Sequence, residues 1–268
     1  MLKHTVFWPK PSNFQLDIDS KIMKLIKIIT LLSLVGLITS CEPTDCITSS
    51  GELVSKNISV STFQKIIVYK GIELIIKQGA DYSCEIKTGQ NLLSNIEVVQ
   101  EGQTLILKDK STCNWVREYG QTKVYITAPN LEEIHSFTEK NIQSDGVLTY
   151  PILRLYSLDT GGDVATNDFI LQIDNDQLVI ESNIFVRYFI SGKTNQANLN
   201  FYEGDGRIEA QNLIAKKIVV YHRGSNDMIV YPTESIEGKL LNVGNLVLKN
   251  TPPSMTVQAL FQGQVIYN

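Results

Sequence analysis

From Leu153 to Tyr267 the chain repeats one unit: a short alternating strand, a tight polar or glycine turn, and a second alternating strand. The turns read Asp159-Thr160-Gly161-Gly162-Asp163, Asn175-Asp176-Gln177, Ser191-Gly192-Lys193, Glu203-Gly204-Asp205-Gly206, Arg223-Gly224-Ser225-Asn226, Val243-Gly244-Asn245 and Gln262-Gly263-Gln264. Their centres lie roughly 13 to 20 residues apart, a spacing that suits a stacked solenoid of short strands. Apolar pairs flank them, such as Leu153/Leu155, Leu171/Ile173 and Leu199/Phe201 before a turn, and Ile208/Ala210, Met228/Val230 and Leu246/Leu248 after one. A spacing of two puts both members on the same face of a strand. The pattern speaks for architecture and not for chemistry.

The same alternation runs upstream. Phe63, Ile66 and Val68 precede Lys70-Gly71; Ile72, Leu74 and Ile76 lead to Gln78-Gly79; Tyr82, Cys84 and Ile86 lead to Thr88-Gly89. Ile96 and Val98, Leu105 and Leu107, then Val124, Ile126 and Ala128 continue it. Glycine or Asn near the end of each run is expected to supply the positive φ of a tight reversal. Asn91 to Asn95 suits one short turn of helix. Ile, Val, Thr, Tyr and Phe are frequent beyond residue 40, and the remaining residues suffice for one sizeable core. The reading is a single all-β domain over residues 51–268.

The series Phe63-x-x-Ile66-x-Val68, Ile76-x-Gln78-Gly79, Asn91-Leu92-Leu93, Gly102-x-x-Leu105-x-Leu107 and Val124-x-Ile126-x-Ala128-Pro129-x-Leu131-x-x-Ile134 resembles one family. It is the putative auto-transporter adhesin family with a head GIN domain, found mainly as lipoproteins of Bacteroidetes-type bacteria. The resemblance covers about residues 46–268. It implies a right-handed parallel β-helix-like solenoid, its sheets joined by tight Gly/polar turns, without an established catalytic site. Asn175-Asp176-Gln177 departs from the family by lacking glycine, and Phe137-Thr138-Glu139-Lys140 replaces a small turn.

The leader says where such a domain is held. Met23-Lys24-Leu25-Ile26-Lys27 opens an apolar run from Ile28 to Ile38, followed by Thr39-Ser40-Cys41. A basic start, an apolar stretch and small residues before a cut site make an export signal. The run is too short for a comfortable transmembrane span of about 20 residues. Ile38-Thr39-Ser40-Cys41 resembles the lipobox of bacterial lipoproteins, which implies lipidation of Cys41 and stable anchoring through several acyl chains. The expected order is a misassigned start or extension at 1–22, a signal peptide at 23–40, a tether at 41–50, and then the domain. This places the protein in the cell envelope, as an outer-membrane lipoprotein of a Gram-negative bacterium, with its leaflet undecided.

Without residues 1–40 the chain holds 19 basic and 26 acidic residues, a net charge of -7. Such a surface does not attract nucleic-acid phosphates or anionic headgroups. Lipidation of Cys41 leaves three thiols in a disulfide-permissive compartment. Cys84 alternates in phase with Tyr82 and Ile86 and is expected inside. A Cys46–Cys113 bridge would close a loop of about 68 residues, worth about 4 kcal/mol in the chain-entropy estimate.

No zinc spacing, nucleophile elbow, phosphate loop or dinucleotide fingerprint appears, so no cofactor or metal is expected. Tyr221-His222-Arg223 reads as a strand running into a turn, or as a base and an arginine for an acidic sugar. Asp159, Asp163, Asp174, Asp176, Asp205 and Asp227 sit near turns, where Asp is common, although clustered acids also invite calcium. Trp115 and Tyr119 either stack on a sugar face or cap the end of the first sheet. Three functions remain open. The first is a non-catalytic adhesin binding an extended glycan or protein. The second is a polysaccharide lyase or hydrolase, for which Arg154, Arg187, Arg207 and Arg223 would have to converge. The third is an envelope assembly component, a homo-oligomer stacked through solenoid ends.

Overall fold

The computed structural model describes residues 23–27, 49–111, 122–159, 161 and 165–268. These belong to two units, Met1–Ile47 and Thr48–Asn268. In the first, residues 23–27 are helical. Among the described residues no helix is long and apolar enough to cross a membrane. Cys41, Cys46, Cys113, Trp115 and Tyr119 lie outside the described residues, as do Thr160, Gly162 and Asp163 of the first predicted turn.

Alternating sequence becomes strand throughout the second unit. Its strands are β1 (Leu53–Ile58), β2 (Lys65–Tyr69), β3 (Ile72–Gln78), β4 (Ser83–Gly89), β5 (Ile96–Glu101), β6 (Thr104–Asp109), β7 (Thr122–Ala128), β8 (Glu133–Phe137) and β9 (Ile142–Leu148). They continue as β10 (Ile152–Ser157), β11 (Asp168–Ser182), β12 (Arg187–Phe201), β13 (Arg207–His222), β14 (Met228–Leu240), β15 (Leu246–Leu248), β16 (Ser254–Ala259) and β17 (Val265–Tyr267). One 3-10 turn, Leu93–Asn95, falls where the short helix was expected. The strands hydrogen-bond into one sheet that winds into a solenoid of about six turns.

Register gives the period. Asp168 pairs with Arg187, Arg187 with Arg207, Ile208 with Met228, Met228 with Leu246 and Leu246 with Val265. Each step is 18 to 20 residues along the chain, so one coil takes that length and contributes a strand to each of two faces. Face I contains β3, β7, β9, the first halves of β11 to β14, β15 and β17. Face II contains β2, β6, β8, β10, the second halves of β11 to β14, and β16.

Between the faces, inward residues stack coil upon coil. Ile66, Ile134, Leu155, Ile180, Leu199 and Val220 form one such row through consecutive pairings and are all buried. Each contributes about 1.5–3 kcal/mol by leaving water, and neighbours stand about 4.8 Å apart, within van der Waals reach. Cys84 lies inward beside this core as expected, and burial pushes its thiol up to about 12.

Two of the predicted turns prove to be something else. Asn175-Asp176-Gln177 lies inside β11, where one continuous strand bends from face I to face II. Asn175 points inward, its Nδ2 donating to the Gln177 carbonyl at 3.1 Å; one coil on, Thr194 Oγ1 donates to the Gln196 carbonyl at 3.1 Å. A short polar side chain at the inner corner thus satisfies a carbonyl displaced by the bend. Ser191-Gly192-Lys193 lies mid-strand in β12. A Cβ at Gly192 would sit 2.0 Å from the Ile173 carbonyl oxygen, with φ at +105°. The true return turns lie on the other side of the solenoid.

Positive φ explains fewer of the turn glycines than expected, and among the described residues no other residue type has it. At Gly244 the reason is crowding: a Cβ would approach the Asn226 carbonyl oxygen and His222 Nε2 to 2.4 Å. Coils at β-sheet spacing leave no room there for a side chain.

The first coils are also not stacked in chain order. β2 pairs with both β6 and β8, and β3 with both β7 and β9. The β2–β3 coil is therefore inserted between β6–β7 and β8–β9. Beyond it, β4 runs antiparallel to β7, β1 to β4, and β5 to β6.

Candidate functional site: a groove between two bulges

Face I is interrupted in one place. Along β11, Ile170 pairs with Gln143 and Gln172 with Val147, so β9 spends four residues where β11 spends two. Along β12, Phe189 pairs with Glu209 and Ser191 with Asn212; on the far side Ala210 pairs with Val230 and Ile214 with Tyr231. The extra residues of β9, around Ser144 to Gly146, and of β13, Gln211 to Leu213, rise as bulges on either side of β11 and β12. A bulge unpairs the ladder locally and re-aims side chains. Ser144 repairs part of the loss, its hydroxyl accepting from the Gln172 N–H at 2.9 Å.

Between these walls lies a groove of about 380 Å³. Its floor is Ile170, Leu171 and Gln172 of β11 with Phe189, Ile190 and Ser191 of β12; its walls are Ser144 and Glu209, Gln211 and Asn212. Ile170 is 41% exposed, unusual for an aliphatic residue in a sheet centre. Phe189 makes no ring–ring contact with any described residue, and the Arg187 guanidinium lies over one face of its ring, 5.6 Å from the centre. Glu209 is held by Arg207 Nε at 2.6 Å, and Arg207 also reaches Asp227 at 3.2 Å. Arg187 is clamped by Asp168 at 2.6 and 2.7 Å. Every charge at this site is already paired, so the groove offers hydrogen bonds and an aromatic surface.

Other surfaces are less fixed. Two hollows of about 430 and 610 Å³ flank the corner ridge of Asp176, Asn195 and Lys216. They are larger, but exposed Lys193, Lys216 and Lys217 line them, long side chains whose ordering would cost entropy on binding. On the outside of face II, His135 stacks on Tyr156 at 4.4 Å and Tyr69 on Phe137 at 5.3 Å, so these rings cover one another's faces.

Of the residues singled out from sequence, Tyr221, His222 and Arg223 do not converge. Tyr221 faces outward, whereas His222 is fully buried, receives the Gly224 N–H on Nδ1 at 3.3 Å and lies 2.9 Å by Nε2 from the Asn226 carbonyl. It staples a turn, and burial holds its pKa below the usual value. Arg187 and Arg207 are neighbours on face I, but Arg154 lies on face II and Arg223 in a return turn. Most of the turn aspartates hold local structure: Asp159 takes the Gly161 N–H, Asp176 the Asn195 amide, Asp205 the Ser225 hydroxyl and Asp227 the Asn245 amide. Among the described residues no group of three or more acids, histidines or cysteines could hold a metal. Sequence reasoning missed the groove, because a bulge leaves no residue signature; the only hint was Gln211-Asn212 interrupting the alternation of β13.

Residues 62–252 match the family described as putative auto-transporter adhesin, head GIN domain. The chain belongs to this family. A solved putative adhesin from Bacteroides fragilis is 21% identical and superposes with a TM-score of 0.74, covering 82% of this chain and 100% of its own. A protein from Parabacteroides distasonis described as a putative lipid binding protein is 16% identical, with a TM-score of 0.62 over 82% of this chain and 99% of its own. A putative adhesin from Parabacteroides merdae is 17% identical, with a TM-score of 0.57 over 82% of this chain and 98% of its own. At these identities the likeness is one of fold. No curated protein matches the chain.

Proposed function

We propose that the protein is a non-catalytic adhesin of the cell envelope, held by lipid on Cys41 and presenting face I to an extended partner. Membership of an adhesin family supports the adhesive role. The observation that carries the binding face is the groove itself: a strand-fixed floor, bulged walls, and a single carboxylate already neutralised by Arg207. Such a lining binds by hydrogen bonds and stacking and has no free group poised for proton transfer. The lipobox-like Ile38-Thr39-Ser40-Cys41 supports the anchor.

Cells producing the protein from its own gene, fed an alkyne fatty acid, should yield a labelled band that partitions with membranes. Cys41→Ser should lose both label and membrane association. Adhesion of these cells to glycan- and matrix-coated surfaces should exceed that of a deletion strain. Equal adhesion across a broad panel would remove the adhesin reading.

A further inference from the structure

The face I groove lies within a sheet, and this limits what can occupy it. β11 and β12 are paired on both sides, so no free strand edge is offered for an added peptide strand. The apolar floor is two half-open side chains, Ile170 and Phe189, with no enclosed cavity to take an acyl chain. Gln172, Gln211 and Asn212 line the groove with side-chain amides that bond no group among the described residues, each carrying both donors and an acceptor. Amides arranged around a half-buried aromatic ring, one face of which lies under the Arg187 guanidinium, match a ligand with ring C–H groups on one face and hydroxyls at its rim. Arg187 and Arg207 are committed to Asp168 and to Glu209 and Asp227, so no cation is left for an acidic sugar.

We infer that the groove binds a neutral saccharide unit of a glycan chain, stacked on Phe189 and hydrogen-bonded by Gln172, Gln211 and Asn212. The bulges of β9 and β13 stand about 14 Å apart, three strand spacings, so the bound unit lies between them while the chain continues along the strands, where the groove is open. This assignment rests on the adhesin reading only for its setting; the binding chemistry stands on the groove.

The test uses the full chain in lauryl dimethylamine oxide micelles, which carry no sugar. Probes are the tetrasaccharides of glucose, mannose, galactose and N-acetylglucosamine, with tetragalacturonate as the acidic comparison, read by saturation-transfer NMR and calorimetry. At least one neutral tetrasaccharide should bind saturably, at least tenfold more tightly than tetragalacturonate. Phe189→Ala should weaken it tenfold or more, whereas Phe189→Trp should preserve it. Because Phe189 is half-buried, the exposed pair Gln172→Ala and Asn212→Ala provides an independent loss of fivefold or more without a core change. The assignment is overturned if no neutral tetrasaccharide binds, if Phe189→Ala and the amide pair leave affinity within twofold, or if the acidic oligomer binds best. Should cells still adhere through the protein while every neutral probe fails, the saccharide assignment falls and adhesion stands. If a neutral probe binds at Phe189 while cells carrying Phe189→Ala adhere normally, the saccharide site stands and the adhesive role loses its surface.

Discussion

Three glycine-to-alanine substitutions separate the two physical reasons for which this solenoid uses glycine. Gly146 has φ at +91° but open space around its Cβ position, so alanine there meets only backbone strain. For a left-handed alanine that strain is about 1–2 kcal/mol. Gly244 has the reverse profile: no positive φ, yet a Cβ would lie 2.4 Å from a carbonyl oxygen and from the buried His222 ring. Overpacking of this kind costs about 1–3 kcal/mol, and more when the obstacle is backbone. Gly192 combines both, with φ at +105° and the Ile173 carbonyl 2.0 Å away in the next strand. Its alanine should therefore cost about 2–5 kcal/mol, the sum of the two. Since 1 kcal/mol moves Tm by about 2–4 °C in a domain of this size, Gly146→Ala should lower Tm by a few degrees and Gly192→Ala by roughly 5–15 °C. Differential scanning calorimetry on the three variants at one pH reads the series. A Gly192→Ala protein no less stable than Gly146→Ala would show that coil-to-coil crowding is not what excludes side chains there.

Other outcomes follow from the interior. His222 is held neutral by burial, with its pKa below 6.5, so below that pH the unfolded chain binds more protons than the folded one. Its share of stability is intact above about pH 6.5 and lost as pH falls toward the folded value, by at most about 1.4 kcal/mol per pH unit. Urea midpoints from pH 7.5 to 5.5 should fall more steeply for wild type than for His222→Gln; parallel curves would refute this. Tyr188 is fully buried with its hydroxyl directed at those of Ser157 and Ser182; burial raises its pKa and the two serines partly offset that rise. Tyr188→Phe should cost about 1 kcal/mol in chemical denaturation, because it leaves the buried Ser157 and Ser182 hydroxyls without their neighbour; a gain of that size would contradict this. Cys84 should resist iodoacetamide at pH 8 until urea unfolds the chain, by peptide mass mapping, while the non-reduced digest should contain a peptide joining Cys46 to Cys113.

The solenoid was legible because alternation is a backbone-level signal: Leu153/Leu155 and Ile208/Ala210 point inward wherever their coil lies. From Glu203 onward the predicted turn spacing is also the true coil length, since those polar segments are all return turns. Upstream, corner and mid-strand segments such as Asn175-Asp176-Gln177 and Ser191-Gly192-Lys193 carry the same composition for different reasons. One satisfies a carbonyl at a bend and the other admits a neighbouring strand. Composition cannot distinguish these, because each substitutes for the same missing freedom. The groove was hidden for a related cause: it is made by a mismatch of strand lengths between neighbours, a property of pairs of segments some 20 residues apart.

The interleaved start gives that mismatch a setting. Because β2–β3 sits between two later coils, the first coil to form in the chain cannot complete its pairing until β6 through β9 have arrived on both sides. The antiparallel β4, β5 and β1 then cover the far edges of β7 and β6, leaving β1 and β5 with one partner each. An edge strand invites another chain unless it is short, carries polar or charged groups, or is covered, and β1 and β5 are six residues each. Ser55, Lys56 and Asn57 add polar groups along β1. The coils on that side are thus locked by topology, and β11 and β12, farther along, can tolerate bulged neighbours because their own ladder runs unbroken from Asp168/Arg187 to Asn175/Thr194 and resumes to Ser182/Phe201. A groove placed on the most regular pair of strands keeps its floor rigid while its walls vary.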